Sequence, residues 1–412
     1  METVQTIHYN LQHLKQLVFE VTDQCNLNCK YCALSDSYMN HDQREDKYLS
    51  YNKVKQIIDY LFSIRETSLD VYYPLRVNFY GGEPLLNMPL IKQTVNYIET
   101  KFAKRFVNYG LTTNAMLLDK YMDFLVENQF YMTISLDGDE IGHSYRMDHS
   151  GNNSFNRVFS NIKLLQEKYP EYFKHYVLFN SVLHNRNSVE STLRFIKDYF
   201  NKIPLIYPIN TIGIKKEKTE EFMTMFQNVY QSILQSKNCE VIEAEMFSLS
   251  PRISSLVNYV FWKTGNAFDS YNDMIFNIIG SLPNQTGTCS PFSKKMFVTV
   301  NGKILQCERI GQEFVLGHVD DDRVELDLDY VANSQNQFIL KLNTQCNSCY
   351  FYSNKECPEC IYQIEDIKKE NPHCLRLCNN RNYEQIGDEI LNFLRNHPYL
   401  YEKIYKEVSL SF

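Results

Sequence analysis

The chain has no apolar run approaching the roughly 18 residues that a bilayer span needs, and residues 1–14 are polar, interrupted by His8, Asn10 and His13. Neither a membrane segment nor a signal peptide is read there. A long Lys/Arg block is also missing: 42 Lys and Arg stand against 49 Asp and Glu, a formal net charge of −7. That speaks against nucleic acid as an obligate partner. No disorder signature is present either, since 44% apolar side chains over 412 residues bury a large core and allow more than one domain. The expectation is an acidic cytoplasmic enzyme. Its 12 cysteines do not make a secreted disulfide scaffold in so long a chain without a signal peptide. Their clustering points to metal, except for Cys239, which stands alone in a helical context and reads as a small buried apolar residue.

The most informative stretch is Val18 to Ala33, VFEVTDQCNLNCKYCA. Cys25, Cys29 and Cys32 form C-x3-C-x2-C directly after a short strand-like run. Three thiolates so close in sequence, on a loop at the C-terminal end of a barrel strand, can wrap one iron-sulfur cube and leave its fourth iron exchangeable. A zinc knuckle or buried thiols fit the cysteines taken alone. A second strand-like run, RVNFYGGEP at 76–84, ends in Gly81, Gly82 and Glu83. Two glycines let backbone approach a ligand closely, and a carboxylate beside them can accept hydrogen bonds from an ammonium group.

From residue 17 to about 214 strand-like and helix-like segments alternate, the pattern of a parallel sheet with crossover helices. Strands are expected at 17–22, 75–80, 109–114, 131–136, 175–182 and 204–210. Ser50 is expected to cap a helix running to about Glu66, with Val54, Ile57, Ile58 and Leu61 on one face. Further helices are expected in LDKYMDFLVEN, from Ser154 and Phe155 onward, and in VESTLRFIKDYF after a cap at Asn187 or Ser188. Thr112, Thr113 and Asn114 close the third strand, and Ser135, Asp137 and Gly138 the fourth; polar groups there face a barrel mouth.

With CNLNCKYC at 25–32 and GGEP at 81–84, the chain resembles the radical SAM superfamily. The resemblance implies a partial (β/α)6 TIM-like barrel in which Cys25, Cys29 and Cys32 hold a 4Fe-4S cluster whose open iron chelates S-adenosylmethionine. It places Tyr31 beside the adenine, Gly81, Gly82 and Glu83 at the methionyl amine, and Ser135 and Arg146 near the methionyl carboxylate. Asn114 is a further cofactor-binding candidate, and Asn180 and Val182 are candidates for the ribose and adenine. Reductive cleavage would yield a 5'-deoxyadenosyl radical, the cofactor carrying the hard step while the protein positions it and excludes quenchers.

Residues 216–285 read as a helical bridge, through EFMTMFQNVYQSIL, ISSLVNYVFWKT and YNDMIFNIIGSL, ended by turn residues at 282–288. Cys289 and Cys307 then bracket a hairpin with Asn301 and Gly302 at its turn. Cys346, Cys349, Cys357, Cys360, Cys374 and Cys378 follow; C-x2-C-x7-C-x2-C by itself suits zinc and iron-sulfur equally. Cys289-x12-Gly302-x4-Cys307 with this cysteine-rich segment resembles the SPASM extension of radical SAM peptide maturases, although the x7 and x2 spacings depart from its usual pattern. The resemblance implies two auxiliary 4Fe-4S clusters. Cys289, Cys307 and Cys360 are expected on the inner one, closed by Cys378 or left with an open iron, and Cys346, Cys349, Cys357 and Cys374 on the outer one. Glu308 matches the place of a proton-removing Asp in sulfatase maturases and is a candidate base.

The expected organisation is a barrel over 1–215, the bridge over 216–285, a SPASM domain over 286–385 and a C-terminal amphipathic helix over 386–412. The resemblance implies a maturase that installs a carbon-carbon, thioether or ether crosslink in a ribosomally made (RiPP) precursor peptide. The alternatives are a sulfatase-type maturase forming formylglycine and a catalytically silent peptide-binding chaperone. The expected partners are the precursor peptide, an electron donor of flavodoxin or ferredoxin type, and a separate leader-binding protein, since only 16 residues precede the first strand.

Overall fold

The computed structural model describes residues 1–67, 74–103, 106–246, 286–349, 352, 357, 359–364, 367–370, 372–374, 388 and 391–400. The helical patterns expected at 253–264 and 271–282, Cys378, and most of the C-terminal helix expected over 386–412 lie outside these residues. The chain divides into two compact units. The larger comprises Ile7–Cys239 and Pro291–Val331; the smaller comprises Met1–Thr6, Glu240–Ser290 and Ala332–Phe412.

The larger unit is built on six parallel strands: β1 (Gln16–Thr22), β2 (Leu75–Gly81), β3 (Val107–Thr113), β4 (Tyr131–Ser135), β5 (Val177–Leu183) and β6 (Leu205–Pro208). They lie side by side in chain order, each hydrogen-bonded in parallel to the next. Four short strands extend the sheet beyond β1: β7 (Lys295–Val298), β8 (Lys303–Leu305), β9 (Gly317–Val319) and β10 (Val324–Glu325). β7 pairs with β1 in parallel and with β8 in antiparallel. The Asn301–Gly302 turn signal thus marks a real hairpin, Gly302 taking φ +82°, the left-handed region glycine enters without a Cβ penalty.

The crossover helices form where apolar residues recur at helical spacing. Tyr51–Arg65 buries Val54, Ile57, Ile58 and Leu61, and Ser50 caps it by accepting from the Lys53 N–H at 3.2 Å. Val189–Phe200 starts from a capping box, the Ser188 and Ser191 side chains bonding each other's backbone N–H at 3.0 Å. Two of the expected elements begin or divide differently. The strand expected from 175 begins at Val177, because Pro170 at a first helical position starts a short helix, Pro170–Tyr176, that takes the preceding residues. The helix expected from Ser154 and Phe155 onward is Phe155–Lys168, with the Ser154 hydroxyl donating to the Arg146 carbonyl at 2.7 Å. EFMTMFQNVYQSIL is two helices, Thr219–Met225 and Val229–Leu234, because Asn228 caps the second by accepting from the Gln231 N–H at 3.1 Å.

All six parallel strands deliver their C-terminal ends to one edge, where a strap at 37–42 crosses the larger unit. Its backbone pairs with the loop after β6 (Met39 N–H to Gly213 carbonyl 2.8 Å, Lys215 N–H to Ser37 carbonyl 2.9 Å). On the other side Asp42 accepts from Lys303 at 2.6 Å and Asn301 at 2.9 Å, tying the same strap to the β7–β8 hairpin.

Candidate active site

Cys25, Cys29 and Cys32 sit on the loop that leaves β1, half-buried. Two other loops hold this one in shape. From below, Gly82 N–H donates to the Thr22 carbonyl and Glu83 N–H to the Gln24 carbonyl, both at 2.9 Å. A Cβ on Gly81 would fall onto the Thr22 carbonyl oxygen and one on Gly82 onto the Gln24 carbonyl oxygen. The cysteine loop's own backbone therefore packs directly against both glycines. Their requirement here is strand-to-loop contact, with Gly81 also at φ +142°.

Glu83 joins the same contact. Its side chain is 1% exposed and its carboxylate is already bonded, accepting from Thr113 Oγ1 at 2.7 Å, Asn114 N–H at 2.8 Å and Leu85 N–H at 3.1 Å. Burial pushes its pKa up to about 7 against those three hydrogen bonds. Asn114 in turn carries its amide to the Asn26 side chain at 2.7 Å and within 3.8 Å of Cys25 Sγ. Glu83 and Asn114 thus form a relay from the GGE loop to the first cysteine.

From the other side the loop after β4 folds back as an antiparallel partner. Lys30 N–H donates to the Tyr145 carbonyl (3.1 Å), Asn28 N–H to the Met147 carbonyl (2.7 Å), and Leu27 bridges Asp148. This register sets Cys29 opposite Arg146. His149 Nε2 completes the clasp, donating to the Cys25 carbonyl at 2.8 Å.

Arg146 lies on this returning loop. It is 7% exposed and grips Asp137 through Nε (2.9 Å) and Nη2 (3.1 Å). Asp137, fully buried, also accepts from the Val182 N–H at 2.8 Å and from the Tyr31 hydroxyl. Burial alone would raise its pKa, but Arg146 and the hydrogen bonds outweigh it and hold the carboxyl well below the usual range. His143 lies beneath: Asp137 N–H points at its Nδ1 (3.4 Å), and its Nε2 meets the Ser154 hydroxyl (3.1 Å), which already donates to the Arg146 carbonyl. That pattern requires a neutral ring with the proton on Nε2, in keeping with the downward shift that burial imposes, to about 3. Tyr31, expected beside the adenine, stacks on His184 with centroids 5.5 Å apart and is 6% exposed.

Ser135 and Asn180 are register partners across β4 and β5. Asn180 Oδ1 is buried and bonded to none of the described residues, an acceptor placed to take a ligand's hydroxyl or amine. The thiols show a related need. Burial pushes Cys25 up to about 11 and Cys29 up to about 12, and each feels Cys32's charge. Thiolates in such surroundings need metal to hold them deprotonated. Three thiols on one loop can each take one iron of a cluster. These residues fit a three-cysteine cluster and a polar ligand beside it.

Glu308 lies after β8. Burial would raise its pKa, but Lys295 Nζ, 2.9 Å from both carboxylate oxygens, lowers it. Cys307 lies beside it, Sγ to Glu308 Oε2 3.7 Å, its thiol pushed up to about 11 by burial. In the smaller unit Cys346, Cys349, Cys357 and Cys374 are close enough to feel one another's charge, and Cys360 likewise feels Cys289. Gln345 fastens the Cys374 segment, accepting from Cys374 N–H at 3.2 Å and donating to the Pro372 carbonyl at 2.7 Å.

His143, His149, His184 and Gln345 carry no motif of their own, and reading the sequence misses them. Their order of appearance gives no sign that the 142–149 loop returns to residues 25–30.

Comparison with known proteins agrees with this geometry. The family model described as the Radical SAM superfamily matches residues 19–199. The chain is similar to a cysteine-type anaerobic sulfatase-maturating enzyme of Clostridium novyi (28% identical, covering 48% of this chain and 53% of that one). It is also similar to the radical SAM cyclopropyl synthase TigE of Paramaledivibacter caminithermalis (22% identical, 82% and 66%). The chain thus spans about half of the first relative's length and about two thirds of the second's. Among solved structures, native anSMEcpe with bound AdoMet and Cp18Cys peptide superposes with a TM-score of 0.61 at 18% identity, covering 95% of this chain and 99% of that one. At that identity the likeness concerns the fold. No helix among the described residues is long and apolar enough to cross a membrane. Parallel sheet, three-thiol loop and family match converge on one stretch, residues 19–199, which matches the Radical SAM superfamily model.

Proposed function

We propose that this enzyme is a peptide maturase: Cys25, Cys29 and Cys32 hold a 4Fe-4S cluster, S-adenosylmethionine binds beside it, and a side-chain hydrogen of a precursor peptide is abstracted to install a crosslink. When bound, cluster and S-adenosylmethionine would together supply a 5'-deoxyadenosyl radical. The chain's own contribution is placement and shelter. The GGE loop and the 145–149 loop clamp the cysteine loop, Asn114 meets Cys25, and Ser135 with Asn180 line the strand ends where a ligand's polar groups need partners. A chaperone without chemistry has no use for three thiols clamped this way.

The observation that carries the peptide reading is the second cysteine set. Cys346, Cys349, Cys357 and Cys374 gather in the smaller unit, as expected of an auxiliary cluster, and relatives at similar levels of identity include a sulfatase-maturating enzyme and a cyclopropyl synthase. The sulfatase-type alternative draws on Glu308 as a base. Its ion pair with Lys295 keeps it ionised but weakens it as a proton acceptor, which favours crosslink formation.

The test is anaerobic reconstitution of the full chain with iron and sulfide, followed by reduction with S-adenosylmethionine and mass spectrometry of peptides encoded beside its gene. A peptide lighter by two hydrogens, with no formylglycine, is the expected product. Formylglycine instead would transfer the assignment to the sulfatase-type reading. No 5'-deoxyadenosine from wild type would remove both.

A further inference from the structure

We infer that Asp137 is a positioning residue for the cysteine loop: it holds the Arg146 guanidinium opposite Cys29 and neutralises it, so that the ion pair sets the local charge beside the cluster. The inference rests on Cys25, Cys29 and Cys32 being the ligands, and is independent of what the enzyme modifies.

The geometry leads there step by step. The backbone bonds Lys30–Tyr145 and Asn28–Met147 make Cys29 and Arg146 a directly opposed pair. Arg146 spends Nε and Nη2 on Asp137, which fixes the plane of the guanidinium, and its cationic carbon sits 5.5 Å from the centre of the Tyr31 ring. Asp137 is anchored independently of Arg146, by the Val182 N–H and the Tyr31 hydroxyl, and Tyr31 belongs to the cysteine loop itself. Asp137 thus touches the loop through Tyr31 and, through Arg146, the place where Cys29 stands. An arginine left alone at that depth would carry an uncompensated charge; with Asp137 the pair is close to neutral. Cluster potentials respond to net charge and solvent exposure around them, so a buried pair opposite a ligand is a place from which the protein can set the potential.

Replacing Asp137 by Asn keeps a carbonyl oxygen for the Val182 N–H and leaves the cation of Arg146 unbalanced. Removing both charges restores neutrality. The experiment measures the midpoint potential by electron paramagnetic resonance on reconstituted full-length protein without S-adenosylmethionine. It follows the cluster signal that a Cys25→Ala/Cys29→Ala/Cys32→Ala variant lacks, with iron content alongside. D137N is expected to keep its iron and move that midpoint positive, because added positive charge favours the more negative reduced cluster. The D137N/R146Q double variant is expected to return toward wild type. An unchanged midpoint in D137N with full iron would overturn the inference, and so would equal iron loss in both variants, which would make the pair a structural brace only. If the triple variant retains every signal, the ligand assignment fails instead, an outcome separable from the others.

Discussion

Cys29 and Arg146 stand opposite one another in a short antiparallel ladder between the 27–30 and 145–148 segments. The loop leaving the first strand is therefore shaped by the loop leaving the fourth, more than 100 residues later. A ligand loop held on both sides by backbone hydrogen bonds keeps its three sulfurs in place before any metal arrives, which lowers the ordering cost of loading it.

The Gly82 contact yields the simplest prediction. G82A places a methyl on the Gln24 carbonyl, so the GGE loop must pull away and lose its bonds to Thr22 and Gln24. Iron content after reconstitution should fall severalfold. G151A is the control: its φ of +84° is unfavourable, but nothing lies within 4 Å, so it should cost about 1 kcal/mol and keep its iron. Equal retention in both variants would show that the loop contact is dispensable.

Glu83 predicts a pH dependence. Its folded pKa of about 7 lies above the unfolded value near 4.5, so the folded state binds the proton more tightly. The group's contribution therefore falls as pH rises from 4.5 to 7, by about 3 kcal/mol in all. Denaturant titrations of the apo chain across that range should show the decline in wild type and not in E83Q. E83Q should itself start lower by about 1–3 kcal/mol, one of its three donors now facing an NH2 group.

Much of this could be read from the chain because the parallel strands are apolar runs bounded by polar ends, and because Ser50 and Ser188 announce their helices locally. Three thiols at fixed spacing likewise announce a cluster. What stayed hidden depends on distant partners. The pairing of Arg146 with buried Asp137, nine positions earlier, exists only once the loop has folded back. No local rule says that residues 22–24 pass so close to Gly81 and Gly82. Lys295 reaches Glu308 only once the β7–β8 hairpin has formed.

Lys295 gives a further prediction. K295M removes the partner that holds Glu308 ionised, at a site where both side chains are about a quarter exposed or less. Stability at pH 7 should drop by about 1–3 kcal/mol, less than for a fully buried pair because solvent screens part of the attraction. The lowered pKa of Glu308 means that its contribution is present above the unfolded value and lost as pH falls through the folded one. The gap between wild type and K295M should therefore close below about pH 4. A gap that persists undiminished into acid would mean that Lys295 acts through packing of its methylene stem.

The second cysteine set supplies the last prediction. Cys346 and Cys349 lie at and just beyond the end of the helix Leu328–Cys346, whereas Cys374 arrives on a segment that the Gln345 amide ties to that helix. Q345L keeps the size but removes both hydrogen bonds, freeing Cys374 to move away from Cys346 and Cys357, whose thiols burial has pushed up. If these four cysteines hold a 4Fe-4S cluster, Q345L should lower iron by up to about four per chain, with the remaining cluster signals intact. A cluster bound by three sulfurs loses its closed coordination and becomes open to exogenous thiols, so added thiol should broaden the altered signal in Q345L and not in wild type. If the site is instead tetrahedral zinc, iron will be the same in both proteins and zinc will fall by about one, and the reading of the smaller unit as an electron-handling module would have to be given up.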